Sequence, residues 1–488
     1  MNIPKFIPNW IAGVEKASVN SKSFNKLNPA DGKTLFQVAR SGAEDVNLAV
    51  KSCLSAQPQW AAVPPVKRGL ILHDIVRTMI DKKEEIAHFV HMETGKSMNE
   101  ALGEVGGAIE CSLFYASEGQ RLYGRTTTSS VPNKFASTIR QPVGIAGLII
   151  AANTPIANVA WKVFPALICG NAAILKAAED TPATAWIFGK IALDAGLPSG
   201  VLNIIQGYGE ESGMPLVQNE AVGVISFTGS TEVGRQIQLA AGKRLAKVSL
   251  ELGGKNPLIV CDDADLENAA KWVLLSAFSN AGQRCASGSR IIIFDSIYEQ
   301  FVNMLVDKTK ELKVGNTNQD DLGPVINEKQ LNNMLNAIKN ATENGGNILI
   351  GGKRLFDEKH IGGFYLEPTL IDNIDSHAEI SQCELFGPIA NLYKVNDYQE
   401  ALDLANDSPY GLTGCIHTKN FGRANHFIQN LEAGVAVVNA GTYGSEPHMP
   451  FGGVKQSGNG TREPGTEALD IYSDLKDVYI NIPIDELR

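Results

Sequence analysis

Gly144-Ile-Ala-Gly-Leu-Ile-Ile150 decides the fold, because it is the first of several short apolar runs that helical segments separate. Runs of this length are typical of strands that are buried on both faces of a sheet. Four similar runs follow: Ala172-Ala-Ile-Leu175, Leu202-Asn-Ile-Ile205, Val222-Gly-Val-Ile-Ser226 and Lys247-Val-Ser-Leu250. Strands that alternate with helices predict βαβ units and a parallel sheet.

A second series of apolar runs follows the first and predicts another α/β unit. Its members are Asn256-Pro-Leu-Ile-Val260, Arg290-Ile-Ile-Ile-Phe294, Asn347-Ile-Leu-Ile350, Ile389-Ala-Asn-Leu-Tyr393 and Gly434-Val-Ala-Val-Val438. The two series meet near Gly253 and Gly254, which we interpret as a hinge between two domains.

Helices and a β-ribbon are predicted outside these two series. Residues 66–119 have helical periodicity. One apolar stripe at helical spacing is formed by Leu72, Ile75, Val76, Met79 and Ile80. Residues 122–139 are rich in Thr and Ser and predict an exposed β-ribbon, and Asp477-Val-Tyr-Ile-Asn-Ile482 alternates like an edge strand. The predicted fold class is therefore α/β, with two α/β domains and a small β appendage.

Composition excludes several classes of function. The chain has 488 residues, too many for one ordinary core, and its 44% hydrophobic and 20% charged residues are typical of a soluble globular protein. A net charge of −10 and a pI near 5.4 argue against a nucleic-acid-binding surface. The longest apolar run, residues 143–152, is too short to span a membrane. Seven scattered cysteines and an N-terminus without signal-peptide features predict a cytoplasmic protein.

Cys285 and Glu251 together indicate nucleophilic chemistry. Cys285 lies in Phe278-Ser-Asn-Ala-Gly-Gln-Arg-Cys285-Ala-Ser-Gly-Ser-Arg290, whose small and polar residues would let a substrate reach the sulfur. Glu251 ends a predicted strand, at the edge where α/β sheets bind ligands. A thiol can attack a carbonyl carbon and hold the product as a thioester, and a carboxylate can activate the water that releases it. Separately, each residue has a structural alternative: a buried cysteine and a solvated or capping glutamate.

Other polar residues also lie next to predicted strands. Asn153, in Ala151-Ala-Asn-Thr-Pro155, can donate to an oxyanion or simply form a turn. Arg284 can favour the Cys285 thiolate, bind an anion or form a structural salt bridge. Lys176 and Glu179 follow another strand and can hold a ribose diol, or they form an ordinary surface pair.

Phe227-Thr-Gly-Ser-Thr-Glu-Val-Gly234 follows a predicted strand and opens a predicted helix. Free N–H groups and the helix dipole at such a turn can bind a pyrophosphate, although small residues there also serve as plain caps. No metal site is predicted. His88 and His91 lie three residues apart with Glu93 nearby, but a catalytic zinc needs three well-placed ligands.

Six motifs occur in order along the chain. They are Leu175-Lys-x-x-Glu179, Phe227-Thr-Gly-Ser-x-x-x-Gly234, Glu251-Leu-Gly-Gly-Lys-x-Pro257, Gly282-Gln-x-Cys285, Glu384-Leu-Phe-Gly-Pro388 and Pro450-Phe-Gly-Gly-x-Lys-x-Ser-Gly458. In this combination the sequence resembles the aldehyde dehydrogenase superfamily, specifically its NAD(P)-dependent, hydrolytic type. Arg284 and the loop Thr442-Tyr-Gly-Ser-Glu-Pro-His-Met449 are similar to those of semialdehyde dehydrogenases.

The resemblance implies a domain organisation. A Rossmann-like cofactor domain would comprise residues 1–121 and 144–253, and an α/β catalytic domain residues 254–440. Residues 122–143 and 470–488 would form a β-ribbon for oligomerisation. Residues 441–469 would return to the cofactor domain and supply a substrate loop. A homodimer or homotetramer is implied, with a small aldehyde as the substrate and with neither a nucleic-acid nor a membrane partner.

The resemblance also implies the roles of single residues. Cys285 matches the nucleophile, Glu251 the general base, and Asn153 an oxyanion donor together with the Cys285 backbone N–H. Glu463 matches a position that helps to relay protons. The implied cofactor contacts are Lys176 and Glu179 at the adenosine ribose, Gly229, Ser230 and Gly234 at the pyrophosphate turn, Glu384 at the nicotinamide ribose and Phe386 beside the nicotinamide.

NAD is expected as the cofactor in preference to NADP, because the Glu179 carboxylate would repel a 2′-phosphate. The implied reaction oxidises an aldehyde to a carboxylic acid through a thiohemiacetal and a thioester on Cys285, with hydride transfer to NAD. We expect a substrate with a remote carboxylate, such as α-ketoglutaric semialdehyde, because Arg284 suits carboxylate geometry.

Two alternatives stay open. Ala152 and Thr154 stand where many relatives have aromatic residues, which favours a broad-specificity enzyme for aromatic or aliphatic aldehydes. The other alternative is a catalytically silent, cofactor-binding scaffold.

Overall fold

The computed structural model describes residues 3–482. Residues 1–2 and 483–488, which the predicted cofactor domain and ribbon include, lie outside the described residues. Within residues 3–482 the α-helices are Ala43–Ala62, Pro65–Asp81, Lys83–Thr94, Met98–Ser117, Pro155–Ile168, Pro182–Asp194, Met214–Gln218, Thr231–Gly242, Leu266–Phe278, Tyr298–Lys310, Glu328–Glu343, Glu379–Gln382, Tyr398–Asn406, Phe421–Asn430 and Ala468–Ile471. Together with the sheets below, they confirm the predicted α/β fold class.

The first apolar series forms a seven-stranded sheet. In spatial order its strands are Lys247–Glu251, Val224–Thr228, Ile145–Ile149, Ala172–Lys176, Leu202–Ile205, Asn9–Ile11 and Val14–Lys16. The first five pair in parallel, as predicted, and the last two add antiparallel at one edge. Helices cover both faces, and two apolar clusters of buried side chains fill the space between helices and sheet.

The second apolar series supplies five strands of another seven-stranded sheet, whose other two strands, Thr369–Asp372 and Thr413–His417, were not predicted. Its strands, in spatial order, are Asn347–Ile350, Thr369–Asp372, Ile389–Val395, Gly288–Phe294, Asn256–Val260, Thr413–His417 and Val435–Val438. All neighbours pair in parallel except Asn347–Ile350, which runs antiparallel to Thr369–Asp372.

The predicted ribbon is a three-stranded antiparallel sheet. Ser473–Asn481 pairs with Lys134–Pro142, which also pairs with Thr126–Thr128, so the C-terminal strand is an edge strand, as predicted. Two further small sheets occur. One contains Phe6–Ile7, Thr34–Ala39 and Ser23–Leu27, and the other contains Tyr410–Gly411 and Val454–Lys455.

The apolar stripe of residues 72–80 needs one correction. Leu72, Ile75, Val76 and Met79 are fully buried, but the Ile80 side chain is 49% exposed. At 3.6 residues per turn, Ile80 is rotated by about 80° from Leu72, which places it at the margin of the buried face. It also lies one residue before the end of its helix, where the core no longer covers it.

The order of the strands in the first sheet locates a ligand site. From Ile145–Ile149 the chain first builds outward through Ala172–Lys176 and Leu202–Ile205. It then adds Val224–Thr228 and Lys247–Glu251 on the opposite side of Ile145–Ile149. Open α/β sheets bind ligands at the carboxyl ends of the strands where this direction reverses. The segments that leave Ile149 and Thr228 carry Asn153 and Ser230, so two predicted site residues follow the two strands at this point.

Candidate active site

Glu251 and the predicted pyrophosphate turn lie side by side. Glu251 ends its strand next to Thr228, and its backbone carbonyl accepts a hydrogen bond of 3.1 Å from Gly229 N. The helix Thr231–Gly242 packs closely against the segment that follows Glu251. A Cβ added at Gly234 would lie only 2.6 Å from Leu252 Cδ2, so a larger residue there would require the Leu252 side chain to move.

Cys285 follows a loop with an unusual backbone. Asn280, Ala281 and Gly282 all have left-handed φ angles, of 54°, 52° and 65°. This conformation suits Gly and Asn, but it is unfavourable for Ala281. Such strain persists only where the surroundings determine the backbone, and it concentrates at functional sites.

Hydrogen bonds from distant segments hold this loop. The Glu100 carboxylate accepts from Asn280 N at 3.0 Å. Gln283 donates from Nε2 to the Pro324 carbonyl at 3.2 Å and accepts from Ile326 N through Oε1 at 2.8 Å. Ser287 Oγ donates to the Gly282 carbonyl at 2.9 Å. The backbone immediately before Cys285 is therefore fixed by residues that precede it and residues that follow it in the chain.

The Cys285 thiol is half-buried and lines a cavity of about 450 Å³. Burial, together with the Glu384 and Glu251 carboxylates, raises the pKa of Cys285 to about 12. These surroundings favour the thiol rather than the thiolate. Burial and two nearby carboxylates hold the sulfur as a thiol at neutral pH.

The Glu251 side chain is buried, with 3% of its surface exposed, and neither of its carboxylate oxygens has a hydrogen-bond partner among residues 3–482. Burial raises the pKa of Glu251 well above its ordinary value, and the Glu463 carboxylate adds to this rise. The cations of Lys162 and Arg462 act in the opposite direction. A buried carboxyl group without a partner is free to take a proton from a thiol or a water molecule.

A fully buried ion pair lies behind Glu251. Lys162 Nζ is 2.6 Å from Glu463 Oε2, and both side chains have no exposed surface. The same carboxylate accepts hydrogen bonds from Ser226 Oγ, at 2.9 and 3.0 Å, and from the Tyr472 hydroxyl, at 2.7 Å. Glu463 is thus a fixed negative charge that influences Glu251.

Asn153 lies beside the nucleophile loop. Its side-chain amide donates to the Gln283 carbonyl at 3.0 Å, two residues before Cys285. An amide carries two N–H donors, so one remains for another acceptor. The Asn153 carbonyl accepts from Lys96 Nζ at 2.8 Å, which ties its backbone to the N-terminal helices.

Arg284 and the loop after Thr442 meet in the cavity of Cys285. The Arg284 guanidinium carbon lies 4.4 Å from the centre of the Tyr443 ring, and both residues line the cavity. The structural salt bridge considered for Arg284 is not found within residues 3–482. Lys96, another cation in the lining, is paired with Glu104 at 2.7 Å. Arg284 therefore leaves a positive charge available in the cavity.

Two further predicted cofactor residues, Lys176 and Glu179, form an ion pair of 2.9 Å. Lys176 is buried at the end of its strand, whereas the Glu179 side chain is 43% exposed. Although burial alone would raise the pKa of Glu179, the Lys176 ammonium holds it below its ordinary value. Glu179 is thus ionised at neutral pH and accessible. Ser230 caps the helix Thr231–Gly242 and accepts from Val233 N at 3.4 Å.

Glu384 and Phe386 come from the segment before the strand Ile389–Val395. Glu384 Oε1 accepts from Gly254 N at 3.0 Å, so it reaches across to the predicted hinge. Burial raises the pKa of Glu384 to about 7, against the opposing effects of the Gly254 N–H and the Lys255 ammonium. Phe386 has a left-handed φ of 57°, which is uncommon for an aromatic residue.

Comparison with known proteins identifies the family. The sequence model of the aldehyde dehydrogenase family matches residues 15–478. The chain belongs to the aldehyde dehydrogenase family. It is 39% identical over 475 residues to an alpha-ketoglutaric semialdehyde dehydrogenase of Bacillus subtilis (strain 168), covering 97% of each chain. It is 34% identical to an NADP(+) succinate-semialdehyde dehydrogenase of Escherichia coli (strain K12), covering 95% of each chain.

A solved structure also matches this aldehyde dehydrogenase. It is betaine aldehyde dehydrogenase from Staphylococcus aureus in complex with NAD+, with a TM-score of 0.95 and 32% identity. The match covers 97% of this chain and 95% of that chain. The fold and the reaction class predicted from the motifs are thereby confirmed. The protein is an NAD(P)-dependent enzyme that oxidises an aldehyde to a carboxylic acid.

Three residues near the aldehyde dehydrogenase site were missed by sequence reasoning: Lys96, Glu100 and Glu104. Glu104 pairs with Lys96 and accepts from Ile156 N at 3.0 Å, at the start of the helix that follows Asn153. Glu100 holds the nucleophile loop at Asn280. A signal was present, since two acidic residues four positions apart lie on one face of the helix Met98–Ser117. That face points to the site only once the helix is packed.

No helix within residues 3–482 is long and apolar enough to cross a membrane. Over the same range, no group of three or more His, Cys, Asp or Glu side chains is arranged to hold a metal ion.

Proposed function

We propose that this aldehyde dehydrogenase oxidises an aldehyde that carries a remote carboxylate, with NAD as the preferred hydride acceptor and Cys285 as the nucleophile. One observation supports this choice of substrate class. The guanidinium of Arg284, without an ion-pair partner among residues 3–482, lines the same cavity of about 450 Å³ as the Cys285 thiol. An arginine fork binds carboxylates bidentately, so a substrate with both groups can bridge the two residues.

The reaction begins with the thiol. Cys285 gives up its proton to the solvent as the sulfur bonds to the aldehyde carbon, and the carbonyl electrons move to the oxygen. The remaining N–H of the Asn153 amide and the Cys285 backbone N–H donate to this oxyanion. A raised pKa makes the Cys285 thiolate, once formed, a strong nucleophile, although little of it exists at neutral pH.

NAD, when bound, accepts the hydride that converts the adduct on Cys285 into a thioester. Glu251 then takes a proton from water, the water oxygen bonds to the thioester carbon, and the carbon–sulfur bond breaks. The acid leaves and the sulfur regains a proton. The Glu251 carboxyl supports this role, because neither of its oxygens has a hydrogen-bond partner within residues 3–482 and both are free to accept a proton from water.

The predicted cofactor-binding residues fit a dinucleotide. Glu179 would accept from the hydroxyls of the adenosine ribose, with Lys176 fixing its carboxylate. The turn of Gly229, Ser230 and Gly234 opens a helix of 12 residues, whose N-terminus favours a pyrophosphate. Glu384 would hold the second ribose, and Phe386 would pack beside the nicotinamide. An ionised, accessible Glu179 disfavours a 2′-phosphate, which supports NAD over NADP.

Two relatives support the substrate class, since the Bacillus subtilis and Escherichia coli proteins are named for semialdehydes that carry a carboxylate. The test compares kcat/KM for α-ketoglutaric semialdehyde with that for an uncharged aldehyde of equal length, in the parent and in Arg284→Ala. We expect the parent to prefer the semialdehyde. Arg284→Ala should lose about tenfold or more with it, because a buried charge-assisted contact contributes about 1.5–3 kcal/mol. Equal values for both aldehydes in the parent would instead indicate a broad-specificity enzyme.

The assembly and the location are part of the same proposal. Large apolar side chains, among them Phe135 and Ile480, are exposed on the β-ribbon, which supports a homodimer or homotetramer. All seven cysteines carry free thiols, five of them buried, which supports a reducing, cytoplasmic location.

A further inference from the structure

Arg284 can select a carboxylated substrate only if its side chain is held in the cavity. A free arginine side chain has about 2 kcal/mol of rotamer entropy to lose when it binds a ligand. Within residues 3–482, its guanidinium makes neither a hydrogen bond nor an ion pair. Its guanidinium carbon lies over the face of the Tyr443 ring, 4.4 Å from the ring centre. Tyr443 is therefore the residue that orders the Arg284 side chain.

The contact with Tyr443 uses none of the hydrogen-bond donors of Arg284, because the guanidinium carbon lies over the ring and the guanidinium donates no hydrogen bond within residues 3–482. The N–H donors of a guanidinium lie along the edges of its plane. Those edges are the parts that bind a carboxylate bidentately. The Tyr443 ring thus orders the cation without competing for its donors.

Tyr443 is itself held in place by a ring contact and by the hydrogen bonds of the residue before it. Its ring packs edge-on against Trp272, with ring centres 6.4 Å apart. The neighbouring Thr442 donates from its backbone N to Ser276 Oγ at 3.2 Å and from Oγ1 to the Ala286 carbonyl at 2.6 Å. Tyr443 is therefore fixed to the helix Leu266–Phe278 and also to the residue after the nucleophile.

We infer that Tyr443, supported by Trp272, is a positioning residue that sets the preference of this enzyme for carboxylated aldehydes by holding Arg284 in its anion-binding orientation. The inference rests on the proposed function of Arg284. Tyr443 acts through Arg284 rather than on the reacting atoms. Its loss should therefore change the ratio of kcat/KM between charged and uncharged aldehydes and act mainly through KM for the charged one.

The experiment measures this ratio for α-ketoglutaric semialdehyde and an uncharged aldehyde of equal length in Tyr443→Leu, Tyr443→Phe, Arg284→Ala and the double variant Tyr443→Leu/Arg284→Ala. In Tyr443→Leu the ratio should fall about tenfold, equivalent to about 1.4 kcal/mol. Tyr443→Phe keeps the ring and should keep the preference. The double variant should have the ratio of Arg284→Ala, because the tyrosine has nothing left to position.

The matched control is Tyr398→Leu, the same substitution at a tyrosine that packs on His426, outside the cavity. It should leave the ratio unchanged. If Arg284→Ala lowers the ratio and Tyr443→Leu does not, the role of Tyr443 is overturned while the proposed substrate class stands. If Arg284→Ala leaves the ratio unchanged, both are overturned. A further fall from Arg284→Ala to the double variant would show that Tyr443 acts independently of Arg284.

Discussion

The carboxyl group of Glu251 makes the stability of this enzyme depend on pH. Its pKa is raised above 4.5 in the folded protein, first by burial and then by Glu463. The folded state therefore binds the proton more tightly than the unfolded chain does. It follows that the free energy of unfolding is highest below pH 4.5 for this group and decreases as the pH rises through the raised pKa.

Glu251→Gln removes this titration. The Tm difference between the variant and the parent should therefore be small near pH 5 and should grow in favour of the variant by about 2–3 °C towards pH 9. Scanning calorimetry at equal scan rates measures it, with the exposed Glu311→Gln as the control. A Tm difference that is the same at both pH values would contradict the raised pKa of Glu251.

We propose that Glu179 sets the choice of cofactor through the charge of its carboxylate. Glu179→Gln keeps the shape of the side chain but leaves Lys176 unpaired and attractive to a 2′-phosphate. The ratio of kcat/KM with NAD to that with NADP should fall about tenfold, since removal of one repulsive charge and release of one attractive charge add to about 1.4 kcal/mol. The exposed Glu210→Gln serves as the control. A parent enzyme that prefers NADP would contradict this account of Glu179.

The β-ribbon is the element that we propose as the interface between copies of the chain. Its two long strands pair over nine residues, and the cross-strand pair Phe135 and Ile480 has 61% and 55% of its surface exposed. Exposed apolar pairs on a two- or three-stranded sheet are typical of protein interfaces.

Phe135→Lys should therefore shift the enzyme to a smaller assembly, as measured by light scattering after size-exclusion chromatography. Phe356→Lys, at a phenylalanine with 67% exposure that lies outside the ribbon, should keep the parent mass. A monomeric parent, or equal masses for both variants, would rule out the ribbon as the interface.

Elements differ in how far their sequence predicts them. Asn256–Val260 and Asn347–Ile350 have the predicted bounds, because apolar runs between helices are strong strand signals. Asn9–Ile11 and Val14–Lys16 were not predicted, since three residues are too few to show a period. Thr413–His417 was also missed, because its Thr, Gly and His obscure the apolar run and its burial depends on neighbouring strands.

At the scale of the whole molecule, the sequence identifies the candidate site residues but not the contacts between them. Cys285, Glu251 and Asn153 could be named as candidates from the sequence because six motifs in order resemble one family, although each residue separately has a structural alternative. The contacts that tune them could not be predicted. Lys162 meets Glu463 across 301 positions, and Arg284 meets Tyr443 through the packing of two separate segments. The raised pKa of Cys285 could not be predicted either, because burial of the thiol is a property of the folded chain.

The central claim is that Cys285 carries the substrate and Glu251 releases it. The most direct test follows absorbance at 340 nm after the enzyme is mixed with NAD and α-ketoglutaric semialdehyde. We expect steady NADH production by the parent and none by Cys285→Ala. Glu251→Gln should give one equivalent of NADH per active site and then stop, because its thioester forms but is not hydrolysed. Turnover by Cys285→Ala, or continued parent-like turnover by Glu251→Gln, would contradict the claim.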